Sequence, residues 1–289
     1  MIDSTTDDRD VPTASGRDAR WLVRLRIGVT GFALVYLVVR APHLWDVARL
    51  AESAPDGWDP VGPFVWWSSP WSSSVVRAAL IVTIPVAALA TWGRWWRFTG
   101  PATAIGVLVL TSYRSSWGQI FHTENLLVLH LAILGVAAAF DGDRPARRTG
   151  DLPAQAMQVV VVVSYVLAGV AKLRASGLAW LDGDALASQV AHDNLRKVLV
   201  GDWYSPLGAW ALDHVWIFGP LAVVSLAVEL GAPVVFLGGR IRTAWVAAAW
   251  LFHLGVLALM AILFPYQLSG VAYLCCFAAG PLRRARSSP

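Results

Sequence analysis

An all-α, polytopic integral membrane helical bundle of about eight spans is the fold class this sequence predicts, and three observations carry it. Of 289 residues, 56% are hydrophobic and 15% charged, with a mean hydropathy of +0.55, whereas soluble domains carry about 25% charge. Apolar runs near the roughly 20 residues needed to cross a bilayer recur along the chain. Arginine and lysine collect in alternate loops, the signature of cytoplasmic loops in membrane proteins.

Taken in order, the first 20 residues hold five aspartates and three arginines with no apolar run. They are expected to form a disordered cytoplasmic tail rather than a signal peptide, leaving the first span as an uncleaved anchor. Spans are expected at 22–40, 75–92, 98–113, 117–140, 154–173, 214–238, 243–264 and 265–280. The transmembrane domain thus occupies 21–281, and 282–289 is a basic cytoplasmic tail. The links at 93–97, 141–153 and 238–242 are polar turns with Gly or Pro and arginine. With the tails they place 15 basic residues on one side against seven on the other, Lys172 standing near the membrane boundary. Both termini are therefore expected in the cytoplasm, and topology accounts for the net charge of +4, so no nucleic-acid partner is expected. The excess of 21 arginines over two lysines, with abundant Ala and Val, fits a GC-rich bacterial genome and a bacterial cytoplasmic membrane.

Two long segments fall on the extracytoplasmic side. Residues 41–74 carry Trp45, Trp58, Trp66, Trp67 and Trp71, and residues 174–214 carry Trp180, Trp203 and Trp210. Indole rings favour the headgroup layer, so both are expected to lie on the membrane as short interfacial helices over an outward-facing pocket. Cys275 and Cys276 are adjacent, point apart and read as small packing residues. The chain has no CxxC, GxGxxG, Walker or GxSxG sequence, which leaves soluble nucleotide chemistry unsupported. It also lacks the paired interrupted spans that mark inverted-repeat transporters.

Polar residues within spans are the candidate site. Lys172 closes the apolar run 154–173, and a cation at membrane depth costs several kcal/mol or is forced to deprotonate, which points to a use for it. Gln158, Tyr165 and Lys172 recur every seven residues and share a stripe, with Gly169 offering close approach. Snorkelling of the Lys172 stem to the headgroups is the alternative to a functional role. His122, Glu124, Asn125 and His130 cluster at the start of the fourth run; His122 and Asn125 share a face and Glu124 projects elsewhere. Glu229 lies mid-span with Ser225 one turn before it and Pro233 one turn after. His253 also lies mid-span, with Trp250 and Met260 on its side. Each of these can instead be a hydrogen-bonding group between helices.

The strings GVAKLRASGLAWLDGDAL (169–186) and FHLGVLALMAILFPYQLSGVAYL (252–274), with a mid-helix glutamate between them, resemble the membrane domain of vitamin K-dependent gamma-carboxylases, whose bacterial relatives are the HTTM proteins. The pattern G-x-x-K-L…W-x-x-G is met by Gly169, Lys172, Leu173, Trp180 and Gly183, and F-H…F by Phe252, His253 and Phe264. The resemblance spans about residues 20–280. It implies a reduced quinone as cofactor, with Lys172 as the base toward it. The deprotonated hydroquinone reacts with oxygen to give a base able to take the γ-proton of a glutamate, to which carbon dioxide adds. It assigns His253 to holding the quinone or shaping the pocket, and leaves the family's histidine near the fourth span to be matched by His122, Glu124 or Asn125; these three, with Tyr165 and Glu229, are the expected pocket lining. A primary amine in an apolar pocket can accept a phenolic proton. Two departures from the family stand out. Ala171 occupies the position of a second lysine, and the chain ends at LRRARSSP soon after its last span, so carboxylation of a propeptide-bearing substrate is not expected of it alone and a separately encoded soluble protein is left open as a partner. A non-catalytic membrane module that binds a lipid, a quinone or a partner protein is the second expectation.

Overall fold

The computed structural model describes residues 16–278 except 119, 121 and 145. The tail expected at 282–289, and most of that expected at 1–20, lie outside the described residues. Every regular element among the described residues is helical. In chain order these are α1 (Gly16–Val47), α2 (Leu50–Ser53), α3 (Ser73–Trp92), α4 (Trp96–Ser115), α5 (Asn125–Asp141), α6 (Leu152–Ser176), α7 (Asp184–Leu199), α8 (Pro206–Leu212), α9 (Phe218–Leu230), α10 (Gly239–Met260), α11 (Pro265–Leu268) and α12 (Leu274–Ala278).

Among the described residues, four helices are long and apolar enough to cross a membrane: Ala19–Ser53, Ser73–Trp92, Leu152–Asp182 and Gly239–Met260. A fifth is added if Pro206–Leu212 and Val215–Leu230, bent by 99°, form one span. At most 39% of each apolar window is buried within the protein, and the outward-facing remainder suits a hydrocarbon solvent. The expected run 117–140 becomes helical only at Asn125, because Gly118 adopts a left-handed φ of 86° after α4 has ended. The run 265–280 is divided into α11, a 3-10 turn at Val271–Tyr273 and α12, with Gly270 at φ 78° as the breaker.

The chain forms two compact units, one of 1–122 with 127–157 and one of 123–126 with 158–289. In the first, α1 packs on α3 and α3 on α4. Leu22, Leu25, Val29, Ala33 and Leu37 form the buried stripe of α1 at helical spacing. Lipid is as apolar as these side chains, so close approach at small residues has to supply the packing. A Cβ on Gly106 would lie 2.6 Å from the Thr83 methyl, one on Gly100 2.9 Å from Ala138 Cβ, and one on Gly135 3.2 Å from the Pro101 backbone. Threonine hydroxyls donate to the carbonyl four residues back, as at Thr30 (2.6 Å), Thr83 (2.6 Å) and Thr103 (2.7 Å), which satisfies them without a partner helix.

The first tryptophan-rich segment holds α2 and two 3-10 turns, Pro55–Gly57 and Gly62–Trp66. Its fold rests on rings: Phe64 lies 4.9 Å from Trp71 and 5.6 Å from Tyr113, and Trp58 lies 5.2 Å from both Tyr113 and Trp117. At the other end of this unit the Asp141 carboxylate accepts from the backbone N–H groups of Ala146, Arg148 and Thr149 at 2.8–2.9 Å and from the Thr149 hydroxyl at 2.6 Å.

In the second unit the second tryptophan-rich segment folds as a 3-10 stretch, Gly177–Asp182, followed by α7 and α8. Trp180 is 2% exposed and packs with Ala222 and Leu226 of α9. Gly183, at φ 90°, closes the turn where a Cβ would meet the Phe218 backbone at 2.5 Å. The last carbonyls of α10 are capped from α7 and the residue before α8. Asn194 donates to Leu259 at 2.9 Å, the Ser205 hydroxyl to Ala258 and the Lys197 ammonium to Met260.

Candidate functional site

Gly169 sets the geometry of the site. A Cβ there would lie 2.8 Å from Leu230 Cδ2 and 3.1 Å from Glu229 Cβ, so the bare backbone lets α6 come against α9. One turn further along α6, Lys172 Nζ donates to Glu229 Oε1 at 2.5 Å. Their side chains are 20% and 4% exposed, so the carboxylate is buried and the ammonium only partly open to water. The Lys172 ammonium also lies 5.1 Å from the Trp180 ring centroid and 5.5 Å from that of Phe252, two aromatic faces that favour a cation.

Two turns before Lys172, on the same stripe, Tyr165 sits in a second polar group. Its hydroxyl is 2.8 Å from His253 Nε2 and 2.6 Å from the Tyr273 hydroxyl. The Trp245 ring packs edge-on at 5.0 Å, and its N–H donates to Val228 O at 2.9 Å, tying α10 to α9. His253 lies between the rings of Phe252 (5.2 Å) and Phe264 (4.7 Å). Phe252 borders both polar groups, touching Lys172 on one side and Tyr165 and His253 on the other.

Several buried polar atoms of this centre have no hydrogen-bond partner among the described residues: Glu229 Oε2, Trp180 Nε1 and His253 Nδ1. Native interiors leave few such atoms, and a group of them in one centre marks room for a ligand or water. Beside it, α7, α9 and α10 line a half-open apolar cavity of about 270 Å³, with Val190, Ser225, Phe252 and Val256 among its walls. Phe252 is the wall shared between cavity and ion pair. No group of three His, Cys, Asp or Glu side chains able to hold a metal ion occurs among the described residues.

Of the residues singled out in sequence, Lys172, Glu229, Tyr165 and His253 come together in this centre. His122 is exposed and belongs to the first unit, and Asn125 is exposed at the start of α5. Glu124 is 3% exposed and accepts from the Thr123 hydroxyl at 2.7 Å. Lys172 meets the buried Glu229 carboxylate on a neighbouring helix. Tyr273 was not foreseen. Read as part of one continuous helix over 265–280 its direction could not be assigned, and the break at Gly270 is what turns it toward Tyr165. Comparison of the chain with protein-family models, curated proteins and solved structures gave no match.

Proposed function

We propose that this is a gamma-carboxylase-like membrane protein of the HTTM type, whose second unit binds a reduced quinone and uses Lys172 as the base toward it. The observation that carries the reading is the Lys172–Glu229 pair at 2.5 Å in a centre of unsatisfied polar atoms next to an apolar cavity. The residues fit such a ligand. A flat ring can lie against Phe252 and Trp180, and phenolic hydroxyls can meet Glu229 Oε2 and His253 Nδ1, the buried atoms that lack partners. When bound, a reduced quinone supplies the electrons for reaction with oxygen.

The chain supplies the rest. Lys172 Nζ takes the phenolic proton once its own proton has passed along the hydrogen bond to Glu229 Oε1, so the two side chains act as one proton-holding unit. Tyr165, held between His253 and Tyr273, fixes the imidazole. The walls of Phe252, Trp245 and Phe264 keep water from the reacting centre. In this reading the protein lies in a bacterial cytoplasmic membrane with both termini inside.

Oxygen uptake by purified protein given a hydroquinone tests this. Turnover that Lys172→Ala abolishes supports the base, and undiminished turnover in that variant refutes it. The commitment of Nζ to Glu229 favours a second reading, a lipid- or quinone-binding module without chemistry. It predicts thermal stabilisation by quinone with no oxygen uptake, and epoxidised quinone would exclude it.

A further inference from the structure

The first unit carries a second feature, unrelated to the polar centre. Arg20 and Arg24 project from the start of α1, Arg94 from the turn between α3 and α4 and Arg97 from the first turn of α4, and all four are exposed. Arg26 reaches across from α1 so that its guanidinium lies over Gly93, where a Cβ would come within 2.5 Å of Arg26 Cζ. The same end includes the link after α5, because Gly100 of α4 meets Ala138 of α5, and that link exposes Arg144, Arg147 and Arg148. None of Arg20, Arg24, Arg26, Arg94 and Arg97 has a carboxylate within ion-pair distance among the described residues. The acid best placed to neutralise them, Asp141, is consumed by its own loop's N–H groups. Of the link's other carboxylates, Asp143 is exposed and Asp151 accepts from the Gln155 amide at 2.7 Å, so guanidiniums outnumber them at this end among the described residues.

The guanidiniums are held by rings rather than by acids. Arg24 stacks on Trp21 at 4.9 Å, Arg94 on Trp95 at 4.9 Å, Arg26 on Trp96 at 5.8 Å and Arg97 on Phe98 at 5.8 Å. Arg26 Nε is buried with no partner. Trp95 is kept at φ 50°, a left-handed conformation costly for a bulky residue. Trp92, Trp95 and Phe98 are 79%, 56% and 70% exposed around this cluster. Stacking leaves the in-plane N–H edges of each guanidinium free for a phosphodiester.

We propose that Arg26 and Arg94, flanking Gly93, bind the phosphodiester of an anionic glycerophospholipid, with Arg24 and Arg97 as outer contacts. The exposed Trp92, Trp95 and Phe98 take the glycerol and upper acyl region, which a free phosphate would leave uncovered. Charge complementarity selects phosphatidylglycerol over phosphatidylcholine.

The test is lipid titration of the full chain in mild detergent, read by native mass spectrometry and thermal shift. Phosphatidylglycerol should bind and stabilise. Phosphatidylcholine with the same acyl chains, and inorganic phosphate, should do neither. Each of Arg26→Gln and Arg94→Gln should weaken phosphatidylglycerol about fivefold and the double variant about 25-fold. Arg26→Lys with Arg94→Lys should recover most of the affinity, and Arg49→Gln, a distant exposed arginine, should change nothing. Equal binding of phosphatidylcholine, an equal shift by phosphate alone, or wild-type affinity in the double glutamine variant would each overturn the site. The headgroup comparison uses the wild-type chain, so it decides the question even where a variant fails to fold.

Discussion

Replacing Lys172 by methionine leaves the Glu229 side chain, 4% exposed, with neither carboxylate oxygen partnered, because Oε2 already lacks a hydrogen bond and Oε1 loses its own. Breaking a buried ion pair from one side costs about 3–5 kcal/mol. Lys172 is 20% exposed, so water can reach part of the gap and the lower end, about 3 kcal/mol, applies. At about 2–4 °C per kcal/mol for a unit of this size, the midpoint of thermal unfolding should fall by roughly 6–12 °C. The double variant Lys172→Met/Glu229→Leu exchanges both members for apolar groups and should return to within about 1 kcal/mol of wild type, since paired removal is near neutral. Thermal unfolding in mild detergent, followed by circular dichroism, completes the cycle. Additive losses, with the double variant less stable than either single one, would show that the two side chains do not depend on each other.

Tyr165→Phe removes the hydroxyl shared by His253 and Tyr273 and strands both buried partners; a loss of about 1–3 kcal/mol is expected, and unchanged unfolding would remove the triad from the account. Gly169→Val places methyl groups against Leu230 and Glu229, and overpacking should cost about 1–3 kcal/mol while quinone stabilisation is lost with it. If the valine variant keeps both, α6 and α9 do not need this close approach. Asp141→Ala frees three backbone N–H groups of the 141–150 link, which should become rapidly cleaved by protease while the helices resist. Wild-type resistance of the link would show that the carboxylate does not hold it.

The helical class and the positions of most helices were legible because an apolar run of span length admits few alternatives in lipid. Two boundaries were not. Gly118 and Gly270 each take a left-handed φ, and nothing in an apolar run announces which of its glycines will do so. The Tyr165–Lys172 stripe was legible from seven-residue spacing alone, since both residues belong to one helix. That Glu229 would be the partner of Lys172, and Tyr273 that of Tyr165, depends on which helices meet, and spacing within one helix carries no information about a second. Gly169 and Gly183 offered a partial signal. Gly183 marks a place where backbone meets backbone and Gly169 one where backbone meets the Leu230 and Glu229 side chains, although the sequence did not say which partners these would be.

The central claim is that the Lys172 centre holds a reduced-quinone-type ligand. Mass spectrometry of small molecules extracted from the protein purified in mild detergent tests it most directly, with wild type compared to Lys172→Ala and His253→Ala. The account predicts a co-purifying quinone whose occupancy falls in the His253 variant. The absence of quinone from every sample, with all three proteins folded, would contradict it.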